Sequence, residues 1–96
     1  MKFLVSLSLT PNADPNAFDS ARPASARLVW QFYLNDVIRE MYSRIDQKGV
    51  IFMAEAADAQ SLRTLLESLP LVQSGQIAGE VIGLAPFSDI ALAFQA

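Results

Sequence analysis

The chain has 96 residues and a mass of 10.5 kDa, which is the size of one small domain. Apolar residues make up 52% and charged residues 18%, and we expect a surface so poor in charge to be covered in part by another copy of the chain. The net charge of −3 gives no electrostatic basis for binding nucleic acid or an anionic membrane. The chain lacks both cysteine and histidine, which excludes disulfides, thiolate nucleophiles and the commonest general base and metal ligand.

The N-terminal segment resembles a short signal peptide, but its apolar side chains recur at every second position. Every second residue from Phe3 to Leu9 is apolar, which is the period of a half-buried strand, and we favour the strand over a signal. No stretch approaches the roughly 18 consecutive apolar residues of a membrane span. We therefore expect a cytoplasmic protein without a membrane partner.

The next patterns predict a helix followed by a hairpin. The helix is expected to begin near Ser20, whose hydroxyl can cap it, and to end at 35–36. Strands are predicted for 37–45 and 49–56, joined by a turn at 46–48.

A second helix and a fourth strand complete the predicted order. Asp58 can cap the helix, four leucines follow at helical spacing, and Pro70 is expected to stop it. The strand is predicted for 77–84, where Gly79 and Gly83 are candidate bulges.

The resulting order, βαββαβ, predicts an α+β fold of the ferredoxin-like type. Its four-stranded antiparallel sheet carries two helices on one face, and residues 1–96 form a single domain. The tail 85–96 is strongly apolar, so we expect it to dock on a neighbouring subunit.

The face without helices has a mixed composition. If Ile45 lies opposite Val50, small apolar side chains occupy the helix-covered face of the hairpin. The other face then carries Glu40, Tyr42, Arg44, Ile51, Met53 and Glu55, joined by Leu4, Ser6, Glu80, Ile82 and Leu84 from the outer strands. Large aliphatic side chains around a few polar groups are typical of a ligand cavity, which a second copy would enclose.

Several segments also resemble the muconolactone isomerase-like family over about residues 1–87. They are the run Val37–Arg44, a strand ending at Glu55-Ala56, the sequence Leu69-Pro70-Leu71-Val72, and Glu80-Val81-Ile82. The resemblance implies a dimeric α+β barrel, formed by a homodimer or larger homo-oligomer, whose two sheets enclose a cavity. It also implies cofactor-free chemistry, such as moving a proton within a small cyclic molecule. YCII-related proteins of the same superfamily use a His–Asp pair, which this chain cannot supply.

Glu40, Glu55 and Tyr42 are the candidate catalytic residues. An apolar cavity raises the pKa of a carboxyl group, which makes a glutamate a useful base near neutral pH. We expect Arg44 to pair with one glutamate and to leave the other as proton acceptor. The alternative is that the glutamates form structural ion pairs with Arg39 or Arg44.

Arg44, Ser6, Met53 and Glu80 are the candidate substrate-binding residues, and Arg44, Tyr42 or Ser6 is able to donate a hydrogen bond to an enolate oxygen. No metal, phosphate loop or cofactor is predicted. Two functions fit: a cofactor-independent isomerase or monooxygenase acting on a cyclic or aromatic metabolite, or a non-catalytic ligand-binding or assembly module.

Overall fold

The computed structural model describes residues 1–95. The elements in chain order are β1 (Lys2–Leu9), α1 (Pro15–Leu34), β2 (Ile38–Ser43), β3 (Gly49–Glu55), α2 (Ala59–Glu67), α3 (Pro70–Gln73), β4 (Ile77–Leu84) and a terminal 3₁₀ helix (Ser88–Phe94). The strands form one sheet in the order β2-β3-β1-β4, and every neighbouring pair is antiparallel. The predicted α+β, ferredoxin-like fold is therefore confirmed.

The core lies between the helices and one face of the sheet, because alternate side chains of β1 and β3 point inward. Its buried members are Phe3, Val5, Leu7, Phe32, Ile38, Phe52, Ala54, Leu62, Leu66, Leu69 and Ile77. Burial of a large side chain of this kind contributes about 1.5–3 kcal/mol. The other face of the sheet, which we call the open face, has no helix over it.

Helix α1 begins earlier than predicted. Asp14 is its N-cap, and the carboxylate accepts a hydrogen bond from the amide of Ala17 at 3.3 Å. Pro15 fits the first helical position, where no amide hydrogen is needed. The expected start near Ser20 was therefore wrong, whereas the end is confirmed, with Asn35 as the C-cap.

The β2–β3 hairpin has a longer loop than predicted. Ser43 lies opposite Val50, and the Arg44 amide donates to the Gly49 carbonyl at 2.9 Å. Ile45 is therefore not opposite Val50, and β2 ends at Ser43. The register differs from the prediction by two residues, and an even shift leaves the paired side chains of 40–43 and 50–53 on their predicted faces, whereas Arg44 and Ile45 lie in the loop.

The second half of the chain departs from the prediction at two points. Asp58 caps α2 as expected, but α2 ends at Glu67, and Pro70 begins the short helix α3 instead of only stopping α2. Strand β4 has the predicted bounds and pairs with β1 without interruption. The irregularity in the sheet lies in β2, between Ile38 and Glu40, and not at either glycine of β4.

Residues 85–95, which we call the C-terminal arm, leave the sheet after β4 and remain exposed. Phe87 is 70% exposed and Phe94 is 82% exposed. Within residues 1–95, none of the helices combines the length and the hydropathy that crossing a bilayer requires.

Candidate functional site

The open face carries most of the predicted site residues in neighbouring rows. One row runs from Tyr42 through Ile51 and Ser6 to Glu80, and the next begins with Glu40 and Met53. Glu80 lies on β4 and Glu40 on β2, which are the two edge strands. Three strand spacings separate these edges, or about 14 Å, so a single chain does not bring Glu40 and Glu80 together.

Glu40 and Tyr42 form the closest polar pair of the open face. The Tyr42 hydroxyl donates to Glu40 Oε1 at 2.6 Å. This hydrogen bond, and then the negative charge of Glu40, raises the pKa of Tyr42. The phenol therefore keeps its proton and is available as a donor.

Arg44 is held within its own hairpin. Its Nε and Nη2 atoms donate to the two carboxylate oxygens of Asp46 at 2.9 and 2.6 Å. With its amide oxygen turned toward the guanidinium, Gln47 accepts from both terminal nitrogens at 3.0 Å. The ion pair lowers the pKa of Asp46 and raises the pKa of Arg44.

The expected pairing of Arg44 with a glutamate was wrong. Asp46 is only two residues away in the same loop, so the pair forms with little additional ordering of the chain. Glu55 lies 3.5 Å from the Met1 ammonium group, and Arg39 donates to the Asp36 carbonyl at 2.8 Å. Among residues 1–95, the alternative ion pairs of Glu40 or Glu55 with Arg39 or Arg44 are therefore not observed either.

A second candidate site lies on the helix-covered side of the sheet. A pocket of about 730 Å³, which we call the α1 pocket, is bounded by α1, the inner face of β2 and β3, and the hairpin loop. Its lining comprises Leu7, Phe18, Arg22, Ser25, Ala26, Val29, Trp30, Met41, Tyr42, Ser43, Arg44, Ile45, Asp46, Gln47, Lys48, Gly49, Val50, Phe52, Leu69, Leu71 and Ile77.

The pocket exists because α1 only partly covers the edge of the sheet. Met41 points toward the helices yet remains 37% exposed. Above the sheet, α1 presents the small side chains of Ser25 and Ala26, which leave space that larger residues would fill. The pocket is therefore apolar in its depth, and its charged groups lie along the hairpin loop and the first half of α1.

Two cations converge on one aromatic ring at this charged end. Lys48 Nζ lies 5.2 Å from the centre of the Phe18 ring, and the Arg22 guanidinium carbon lies 5.6 Å from it. Arg22 also lies 3.7 Å from Asp19, with both side chains more than 60% exposed. An ion pair this exposed is weak, so Arg22 retains most of its capacity to attract an anion.

The pocket was not predicted from the sequence, and it contains only part of the predicted site. Tyr42 and Arg44 line it, whereas Glu40, Glu55, Ser6, Met53 and Glu80 do not. The aromatic residue Trp30 of α1 lines the pocket and is 52% exposed. The useful signal in the sequence was the combination of aromatic residues along α1 with a basic hairpin loop.

No group of three or more possible metal-ligating side chains comes together within residues 1–95. The charged end of the pocket instead provides hydrogen-bond donors and positive charge. Its chemistry suits the binding of a ring with polar or anionic substituents.

Comparisons with known proteins establish the fold. No protein-family model matches the sequence, and no curated protein matches it significantly. The structure is similar to that of muconolactone isomerase, with 21% identity, a TM-score of 0.72, and coverage of 92% of this chain and 94% of that chain. A second similar structure is 5-chloro-2-hydroxyhydroquinone dehydrochlorinase from Burkholderia phenoliruptrix in complex with 2,5-dihydroxybenzoquinone, at 17% identity, a TM-score of 0.66, and coverage of 88% and 94%.

A third similar structure is an antibiotic biosynthesis monooxygenase, at 15% identity, a TM-score of 0.56, and coverage of 90% of this chain and 100% of that chain. All three structures share the fold of this chain. The predicted resemblance to the muconolactone isomerase-like family is therefore confirmed at the level of the fold.

Proposed function

We propose that this chain is a small, cofactor-independent, isomerase-like enzyme that acts on a small cyclic or aromatic metabolite. The observation that carries the proposal is the α1 pocket. Its volume of about 730 Å³ lies within the range of small-molecule sites, and its apolar walls end in a few polar groups. The similar structures include an isomerase and a dehydrochlorinase whose named substrates are small ring compounds, which supports this substrate class.

We assign the proton transfer to Glu40 and Tyr42. Glu40 takes a proton from a carbon beside a carbonyl group, and the electron pair of the broken C–H bond moves into an enolate. The Tyr42 hydroxyl, which lies beside Glu40, turns from it to donate to the enolate oxygen. Glu40 then returns the proton to a different carbon of the same conjugated system, which completes an isomerisation.

We further propose that two copies pair through their open faces. Leu4, Met53 and Ile82 form one continuous apolar row across three strands of that face. Pairing would bury this row and enclose Glu55, Ser6, Met53 and Glu80 between two sheets. The catalytic role of Glu55 and the substrate-binding roles of Ser6, Met53 and Glu80 remain predictions. The exposed C-terminal arm would then dock on a neighbouring subunit.

A non-catalytic ligand-binding module is the second candidate, and one observation favours it. Asp46 is the only carboxylate of the pocket lining, and Arg44 already holds both of its oxygens. A carboxylate bound in this way, with a lowered pKa, is a poor proton acceptor. The pocket lining therefore supplies no free proton acceptor, and catalysis depends on Glu40, which lies on the open face outside the lining.

An experiment with two ring compounds separates the candidates. Muconolactone and 2,5-dihydroxybenzoquinone are added to the protein in D₂O, with binding followed by the Trp30 indole signal and proton exchange or conversion followed by NMR. We expect binding together with exchange or conversion, and about a 100-fold loss of rate in Glu40→Gln.

Glu67→Gln removes the same charge from an exposed position on α2 and serves as the control. Binding without exchange or conversion would support the ligand-binding module. Equal rates for Glu40→Gln and the control would contradict the assignment of Glu40.

A further inference from the structure

The loop of the β2–β3 hairpin, residues 44–48, carries the most exposed large apolar side chain of residues 1–95. Ile45 is 104% exposed, so the folded chain covers none of it, whereas Phe94 of the C-terminal arm is 82% exposed. A single exposed apolar residue is common on protein surfaces, but Ile45 also lines the α1 pocket. An apolar side chain in water at the rim of an apolar space is stabilised when it moves onto a ligand there.

The hairpin loop is braced by its own side chains. Arg44 donates to both carboxylate oxygens of Asp46, at 2.9 and 2.6 Å, and Gln47 accepts from the same guanidinium. This brace joins residues on both sides of Ile45, so Ile45 is carried on a unit that is already ordered. Movement of such a unit costs less conformational entropy than ordering a loose loop on a ligand.

The base of the hairpin loop is fixed, whereas its contact with α1 is weak. Gly49 packs so closely on β1 that a Cβ atom there would lie 2.7 Å from the Leu7 carbonyl oxygen. In the part of the chain that the structure describes, no hydrogen bond or ion pair joins the loop to α1. The loop reaches α1 through the Lys48 ammonium group, which lies 5.2 Å from the centre of the Phe18 ring, and such a contact is weak at an exposed site.

On this basis, and resting on the proposed function of the α1 pocket, we propose that the hairpin loop is a lid and that Ile45 is a positioning residue. When a ring occupies the pocket, the loop turns about its base toward α1, and the Ile45 side chain packs against the outer side of the ring. Closure buries Ile45 and excludes water from the ring. Because the contact is apolar, it holds a ring in place whatever polar groups the ring carries.

A second copy of the chain is the other group that could cover Ile45. The open face proposed for pairing consists of strand residues, whereas Ile45 lies beyond Ser43, where β2 ends. Ile45 also lines the pocket on the helix-covered side of the sheet. This position favours closure onto the chain's own pocket over contact with a partner on the open face.

Methyl NMR on the full chain tests the closure. The isoleucine methyl groups are labelled, and a soluble gadolinium chelate reports the exposure of each one through its relaxation. Benzamide and 2,5-dihydroxybenzoquinone are the ring probes, because they carry different polar groups. With either probe at saturation, we expect the relaxation of the Ile45 methyl groups to decrease and that of Ile90, on the C-terminal arm, to stay the same.

Substitution measures what the contact contributes to affinity. Ile45→Ala should weaken binding of both probes about three- to tenfold and leave the thermal midpoint unchanged, because the side chain is exposed in the free protein. Ile45→Leu keeps the apolar volume and should restore most of the affinity. Leu34→Ala is the matched control, because Leu34 is 55% exposed on α1 and lies outside the pocket lining, and it should change neither affinity.

The outcomes separate the lid from the pocket. If the probes shift the Trp30 indole signal but the Ile45 methyl groups stay exposed, the lid is overturned and the proposed function stands without it. Equal effects of Ile45→Ala and Leu34→Ala would overturn the positioning role. A lower mass for Ile45→Ala in light scattering would overturn it as well, because Ile45 would then belong to a contact between copies. If neither probe shifts the signals of the pocket residues, the pocket itself is wrongly assigned, and the proposed function and the lid fail together.

Discussion

The side chain of Ser25 accepts a hydrogen bond from the backbone amide of Leu71 at 2.9 Å, which connects the middle of α1 to α3 beside the pocket. Ser25 is only 4% exposed, so water cannot easily replace its hydroxyl. We expect Ser25→Ala to lower the free energy of unfolding by about 1–2 kcal/mol, because the amide of Leu71 loses its partner. Urea unfolding measures the change.

Ser20→Ala is the matched control, because Ser20 lies on the same helix and is exposed. We expect the control to change the free energy of unfolding by less than about 0.5 kcal/mol. Equal midpoints for the two variants would show that the hydrogen bond does not contribute to the stability of the pocket wall.

Gly79 allows a close approach of β4 to β1. A methyl group at this position would overlap the carbonyl oxygen of Ser6, which belongs to the backbone and cannot turn away. At Gly83 on the same strand, a methyl group would lie 3.6 Å from the Phe3 ring, which is ordinary contact. We expect Gly79→Ala to cost at least about 2 kcal/mol and Gly83→Ala less than about 1 kcal/mol. Thermal unfolding of both variants compares these costs, and a similar loss at the two positions would contradict the backbone overlap.

Much of the fold could be predicted because the spacing of the core residues repeats within each strand or helix. The alternation of β1 and the leucine spacing of α2 identify these elements, and β4 has its predicted bounds. The start of α1 was missed because Asp14 and Ser20 are both good caps, and the choice between them depends on the tertiary position of the chain. Gln76 accepts a hydrogen bond from the Asp14 amide at 2.7 Å, and this contact is 62 residues away in sequence.

The site was less predictable than the fold. The open face was identified correctly because an error of two residues in the hairpin register preserves the faces. The partner of Arg44 was not identified correctly, because the longer loop places the Asp46 carboxylate within reach of the Arg44 guanidinium. The α1 pocket depends on how far a helix covers an edge strand, and no periodicity of the sequence encodes that distance.

The C-terminal arm provides a test of assembly. Four large apolar side chains of the arm, Phe87, Ile90, Leu92 and Phe94, are between 57% and 82% exposed in the single chain. We expect deletion of residues 87–96 to weaken association more than it weakens the fold, because these side chains lie outside the core. Light scattering coupled to gel filtration should give at least twice 10.5 kDa for the full chain and a smaller mass for the truncated one.

A substitution of the arm provides the control for this deletion. Gln95→Ala changes an exposed polar residue of the arm and should leave the mass unchanged. If the truncated chain unfolds, the arm belongs to the core of its own chain. A monomeric mass for the full chain at micromolar concentration would contradict both the paired sheets and the docking of the arm.

The hydrogen bond between Tyr42 and Glu40 provides the last prediction, because the proposed proton transfer depends on this pair. Glu40 accepts from the phenol at 2.6 Å and raises the pKa of Tyr42 above the ordinary value of about 10. In Glu40→Gln the negative charge is lost, so we expect the pKa of Tyr42 to fall toward that value. Since the chain has two tyrosines, ultraviolet titration in a Tyr33→Phe background reports Tyr42 alone.

The sign of the accompanying stability change follows from the raised pKa. A folded state that holds the phenolic proton more tightly than the unfolded state loses stability as the pH rises through the pKa of the folded protein. The Glu40→Gln variant should therefore lose less stability than the parent between neutral and strongly alkaline pH, whereas Glu67→Gln should follow the parent. If Glu40→Gln leaves the pKa of Tyr42 unchanged, the two side chains are not coupled in solution, and Glu40 is not positioned by Tyr42 for proton transfer.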